Sequence, residues 1–112
     1  MTTATEQLEA NKKLARDYID QVFNQHNPGK AADFVTSDVV WHGNSLGDVA
    51  GSENLAGLLG SFIGAPADGK PVRWNAIDIY RITDGKISEE WAADDVATIM
   101  TQVGVFTPPW AA

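Results

Sequence analysis

The chain has 112 residues, enough for one domain with one modest core, and a 44% hydrophobic content with four Trp and four Phe predicts folding rather than disorder. The absence of cysteine excludes disulfides, thiolate metal sites and a Cys nucleophile, and fits a cytoplasmic setting. Lys and Arg total eight against a net charge of −7, with no basic cluster beyond Lys12-Lys13, so nucleic acid is not an expected partner.

No N-terminal apolar stretch reads as a signal, and no apolar run reaches the roughly 20 residues that span a membrane. Thr3-Ala4-Thr5-Glu6 has capping-box spacing, and the apolar residues that follow (Leu8, Leu14, Tyr18 and Val22, with Ala15, Ile19 and Phe23 beside them) recur with helical period. This predicts a helix over about Thr5 to Asn24. Pro28 suits the first turn of a short second helix through "GKAADFV". "SDVVWHG", Ser37 to Gly43, reads as a strand. Ser52 is placed to cap a helix carrying Leu55, Leu58, Leu59 and Phe62, and "GAPADGKP" reads as a loop.

The clearest element is a hairpin, "VRWNAIDIYRI-TDGK-ISEEWAADD", in which two β-favouring runs flank Asp84-Gly85. Asp94 or Asp95 then caps a last helix with Val96, Ile99, Met100 and Val103, ended by Gly104. Strand alternation puts Ile87, Glu89, Trp91, Ala93 and Asp95 on one face and leaves Glu90 on the other, exposed. A two-residue turn sets Tyr80 opposite Glu89 and Asp78 opposite Trp91. A three-residue turn with a glycine bulge sets Ile79 opposite Glu89 and Ile77 opposite Trp91, and gives the more apolar face. Helices first, then strands mixed with helices around an antiparallel pair, read as α+β in a single domain over 1–112.

Several side chains are candidates for chemistry. Glu89, between Ile87 and Trp91, is either a partly buried acid–base group or a rim residue in an ion pair. Asp95 is either the cap of the last helix or, if Asp94 takes that role, an inward-facing carboxylate. His42, beside Trp41 at a strand end, titrates near neutrality and suits acid–base work. Tyr18 either packs in the core or reaches a pocket with its phenol. Two histidines and no cysteine give no zinc spacing, and neither a G-x-G-x-x-G, a Walker A nor a G-x-S-x-G pattern occurs. No metal and no cofactor are expected.

"NKKLARDYIDQVFNQHN" with "AADFVTSDVVWHG", and still more "IDIYRITDGKISEEWAADDVATIMTQVGV", resemble the SnoaL-like polyketide cyclases of the nuclear transport factor 2-like superfamily. That resemblance implies an α+β cone, with helices packed in a bent antiparallel sheet around a pocket. It also implies cofactor-free acid–base catalysis by an Asp at the end of the last strand, a position that Asp95 matches, with Tyr18 and His42 matching polar residues of the pocket. Against the family pattern only "IGAPADGK" separates the "LAGLLGSF" helix from the next strand, so about two strands, at five to six residues each, would be missing. The strand over Pro71 to Ile82 would then be an open edge, which predicts that a second copy of the chain covers it.

Two functions follow from this reading. One is a small enzyme in which Asp95 acts as base and His42 or Tyr18 polarises the substrate oxygen. Its apolar, carbonyl-bearing substrate would be held by Trp41, Trp74, Glu89 and Trp91. The other is a ligand-binding or assembly module that keeps the fold without the chemistry.

Overall fold

The computed structural model describes residues 3–43, 47–63 and 73–102, with Thr107 and Pro109. Helix α1 spans Ala4–Tyr18, and Thr3 caps it by accepting a hydrogen bond from the Glu6 N–H at 3.0 Å. Ile19–Asn24 continues it as a wider π-helical turn, with the Gln25 N–H bonded to the Asp20 carbonyl. The expected helix is therefore present, but its final turns are not α-helical. A π turn shifts the side chains that follow it, and here Val22 is buried and Phe23 packs against the core. The early turns are exposed, Leu8 included. A 3-10 turn over Pro28–Asp33 then leads into the sheet.

The strands are β1 (Val35–His42), β2 (Asp48–Ala50), β3 (Ala76–Thr83) and β4 (Lys86–Asp94), with α2 (Ser52–Ile63) between β2 and β3 and α3 (Val96–Gln102) after β4. Their order in the sheet is β2-β1-β4-β3. The β1–β2 and β3–β4 pairs are antiparallel, but β1 runs parallel to β4, so the sheet is mixed rather than wholly antiparallel. Among the described residues β3 ends the sheet, as expected. Stretch 64–72, which holds the expected loop and the site of the expected deletion, lies outside the described residues, as do Gly104 and most of the tail.

The hairpin follows neither register expected from the sequence. Asp84 and Gly85, both with positive φ, form a two-residue turn that pairs Thr83 with Lys86 and Ile82 with Ile87. Ser88 is then an extra residue in β4, because the next pair is Arg81 with Glu89. Its hydroxyl donates to the Arg81 carbonyl at 3.2 Å, which anchors the bulge. Side chains change face at such a bulge. Ile87, Glu90 and Ala92 consequently point towards the helices and are buried, while Glu89, Trp91 and Ala93 point outwards.

The core lies between this inner face and the helices. It joins Val35, Val39, Trp41 and Ile87 from the sheet to Leu55 and Leu59 of α2 and to Tyr18 and Val22. Tyr18 sits at its centre, with its ring edge-on to Phe23, Phe34 and Tyr80 at centroid distances of 5.8–6.2 Å.

Candidate active site

Beyond Tyr18 the core opens into a cavity of about 650 Å³. Ile19, Phe23, Leu58 and Leu59 form its helical side, and Trp41, Asp78, Glu90, Ala92 and Asp94 form its sheet side. Trp74 and Asp95 also line it. This is an ordinary size for a small-molecule site, and several polar groups stand in a wall that is more apolar than polar.

Those polar groups are placed by strand register. Asp78 of β3 stands opposite Ala92 of β4, and Glu90 and Asp94 lie two residues to either side of Ala92 on the same face. Three carboxyls therefore ring one small side chain. Asp94 accepts a hydrogen bond from the Trp74 indole N–H at 3.0 Å, and Asp78 Oδ2 accepts one from the Tyr80 hydroxyl at 3.3 Å. Glu90 is only 3% exposed, and its Oε1 has no hydrogen-bond partner. Burial, reinforced by the charges of Asp78 and Asp94, pushes its pKa up to about 8, against a smaller downward effect of a hydrogen bond from Trp41. Burial also raises Asp78, again with a contribution from Asp94.

Trp41 reaches Glu90 across the parallel β1–β4 pair, where the two residues are in register. Its indole lies over Gly43, where a Cβ would stand 2.2 Å from the ring. Glycine at that position is what lets the ring lie flat along the end of the strand.

The residues singled out in the sequence fall into two groups. Trp41, Trp74 and Asp95 line the cavity. Tyr18 is fully buried beside it, and burial and the nearby charges of Glu90 and Asp78 raise its pKa, so it stays a neutral phenol. Asp95, not Asp94, caps α3: its carboxylate accepts from the Thr98 N–H at 3.1 Å and the Thr98 hydroxyl at 2.6 Å. Those bonds lower its pKa, which makes it a weak base. The inward-facing aspartate of the pair is Asp94.

His42, Glu89 and Trp91 stand on the opposite face of the sheet. His42 Nε2 lies 2.6 Å from Glu89 and Nδ1 lies 3.3 Å from Asp48, while its ring stacks on Trp91. Arg81 also pairs with Glu89, at 3.2 Å. The hydrogen bond to Glu89 is the main cause that raises the His42 pKa, and the same bond is the main cause that lowers Glu89. The expectation that Glu89 and Trp91 share a pocket with the catalytic groups is corrected by the Ser88 bulge. The expectation that Glu90 is exposed fails for the same reason. The sequence does hold a signal for Glu90, since Asp78, Tyr80, Glu90 and Asp94 fall on one face once the bulge is allowed.

Residues 56–103 match the SnoaL-like polyketide cyclase family. The fold is that of the nuclear transport factor 2-like proteins. AclR from Streptomyces galilaeus aligns at TM-score 0.67 with 16% identity, over 89% of this chain and 98% of that one. A Catenulispora acidiphila protein with a ketosteroid isomerase-like fold, bound to trimethylamine, aligns at 0.60 with 13% identity, over 96% and 100%. IdmH from Streptomyces antibioticus, proposed to be a polyketide cyclase, aligns at 0.56 with 19% identity, over 86% and 99%. At such identities the likeness speaks for the fold. The search of curated proteins returned no match. The SnoaL-like match runs from within α2 through the hairpin and α3, and therefore takes in Asp78, Glu90, Asp94 and Asp95. Among the described residues no group of three His, Asp or Glu is placed to hold a metal ion, and no helix is long and apolar enough to cross a membrane.

Proposed function

We propose that the protein is a cofactor-free acid–base enzyme of cyclase or isomerase type, acting on an apolar, carbonyl-bearing substrate held in the cavity. The observation that carries this reading is the Glu90 carboxyl, buried in the cavity wall with one oxygen unpartnered and a pKa of about 8. A group with a pKa near the working pH is the most effective proton donor and acceptor there. Protonated Glu90 donates to the substrate oxygen, and its carboxylate takes a proton from carbon. Asp78 and Asp94 keep its pKa high, and Trp41 and Trp74 clasp the apolar body. Asp95 acts at the rim, and Tyr18 supports the site from behind. The SnoaL-like match and the cyclase proposed for IdmH support the same class of reaction.

The test is exchange of α-protons of cyclic ketones and β-diketones in deuterium oxide, followed by NMR. Wild type exchanges them, Glu90→Gln loses the activity, and His42→Ala retains it. Exchange that survives Glu90→Gln and disappears in His42→Ala would move the chemistry to the other face of the sheet.

We further propose that the outer face of the sheet pairs with a second copy of the chain. Ile77 and Ile79 are 76% and 62% exposed there beside Trp91, and among the described residues no strand lies beyond β3. On that face His42 and Arg81 are already paired with Glu89, so covering them leaves neither cation without a partner. Light scattering should give a dimer for wild type and a monomer for Ile79→Glu. A well-folded wild-type monomer at micromolar concentration would refute the pairing.

A further inference from the structure

We infer that a proton controls the pairing of the sheet faces: His42, set among Asp48, Glu89 and Arg81, strengthens the pairing when protonated and weakens it when neutral. This rests on the pairing of two copies proposed above and adds its regulation.

Strand register places His42 inside the surface that a second copy would cover. Ile79 of β3, Trp91 of β4, His42 of β1 and Asp48 of β2 stand side by side across all four strands. The imidazole stacks on the Trp91 indole at a centroid distance of 5.3 Å, with 19° between the planes. In the next row Arg81 of β3 faces Glu89 of β4, and its guanidinium carbon lies 5.8 Å from the Trp91 centroid. A partner that covers the exposed Ile79 and Trp91 therefore reaches the imidazole as well.

Both ring nitrogens face a carboxylate oxygen. Nε2 lies 2.6 Å from Glu89 Oε2, and Nδ1 lies 3.3 Å from Asp48 Oδ1. Imidazolium has two N–H donors and satisfies both. Neutral imidazole has one, and turns a lone pair towards the other oxygen. Arg81 Nε occupies the second oxygen of Glu89 at 3.2 Å. While His42 is protonated, two anions and two cations cancel. Loss of the proton leaves one negative charge in excess at the same place. In the single chain water screens that charge, since the Asp48 side chain is 70% exposed. A two-fold pairing sets the same patch of both copies together, so the two excess charges approach each other and lose water. The chain, at a formal −7 with its histidines neutral, has no surplus of cations to offset them.

The charged groups that face His42 are Asp48 from β2, Glu89 from β4 and, through Glu89, Arg81 from β3. Asp38 of β1 is exposed four residues away, and stretch 44–46, which follows β1, carries no ionisable side chain. The bond to Glu89 raises the His42 pKa above its usual 6.5 and lowers that of Glu89, so the proton leaves the imidazole while Glu89 stays ionised. A dimer that holds this proton more tightly than the monomer gains affinity as pH falls through the His42 titration, and levels off once both states are protonated.

Sedimentation equilibrium at constant ionic strength measures the dimer dissociation constant at pH 6 and pH 9. For wild type it should rise about tenfold or more between them, an ordinary size for coupled equilibria. His42→Gln, unable to titrate, should pair with the same constant at both. Asp48→Asn should also flatten the dependence, because its amide donates to an unprotonated nitrogen. Circular dichroism checks each fold at both pH values. Glu90→Gln should keep the wild-type dependence, since that acid titrates on the inner face of the sheet. A wild-type dimer equally tight at both pH values, or tighter at pH 9, would overturn the proton control and leave the pairing intact. A His42→Gln protein that keeps the dependence would overturn it too. A well-folded wild-type monomer at both pH values would refute the pairing itself, and the proton control with it.

Discussion

Replacing Glu90 by Gln should make the protein more stable at neutral pH, although it alters the group on which the proposed chemistry depends. Gln has the shape of the protonated acid and carries no charge to desolvate. In the wild-type fold the carboxyl titrates at about 8, against 4.5 in the unfolded chain. Below pH 4.5 both states hold the proton, and the residue adds no pH dependence. Between 4.5 and 8 the unfolded chain releases the proton and the folded one retains it, so stability falls by about 1.36 kcal/mol per pH unit. Above 8 both states are ionised and the loss levels off at about 4 to 5 kcal/mol. Glu90→Gln removes this slope. The two proteins should have similar stability at pH 4.5, and the variant should be about 3 kcal/mol more stable at pH 7. Urea unfolding at pH 5, 6, 7 and 8 measures the difference, which cancels the titration of groups common to both. Parallel stability profiles would mean that Glu90 is not held protonated by the fold.

The neighbouring acids separate by role. Asp94→Asn should lower the Glu90 pKa by removing a nearby negative charge, while Asp95→Ala should leave that pKa in place and lower stability by about 1 kcal/mol through loss of the α3 cap; NMR titration and urea unfolding distinguish the two. Gly43→Ala should push the Trp41 ring away from Glu90, change tryptophan emission and lower stability by about 2 kcal/mol, because a Cβ there overlaps the ring. Glu89→Gln should bring the His42 pKa down towards its ordinary value, visible in the imidazole proton shifts, and leave cavity binding unchanged.

The elements were legible in the sequence because their signals are local. Thr3 with Glu6 marked the first helix, and Asp84-Gly85 marked the hairpin. Asp95, at the junction of strand and helix, caps α3, and Trp41 and Trp74 line the cavity. What could not be read was the face that each carboxyl takes in β4. One inserted residue, Ser88, reverses the alternation, moving Glu90 inwards and Glu89 and Trp91 outwards. Nothing in "KISEEW" marks a bulge, since Ser88 anchors it through a carbonyl on the partner strand. The parallel β1–β4 pairing was equally hidden, because it depends on how the chain crosses over rather than on any local pattern. It is that pairing that sets Trp41 against Glu90, and His42 against Trp91 on the far side.

The central claim is that a buried carboxyl on the inner face of β4 holds its proton near neutral pH. Carbon-13 NMR of the glutamate side-chain carboxyls, with Glu90 assigned by its absence in Glu90→Gln, follows that proton directly. The account predicts a titration midpoint of about 8 for Glu90. A midpoint between 4 and 5, the ordinary range for glutamate, would contradict it.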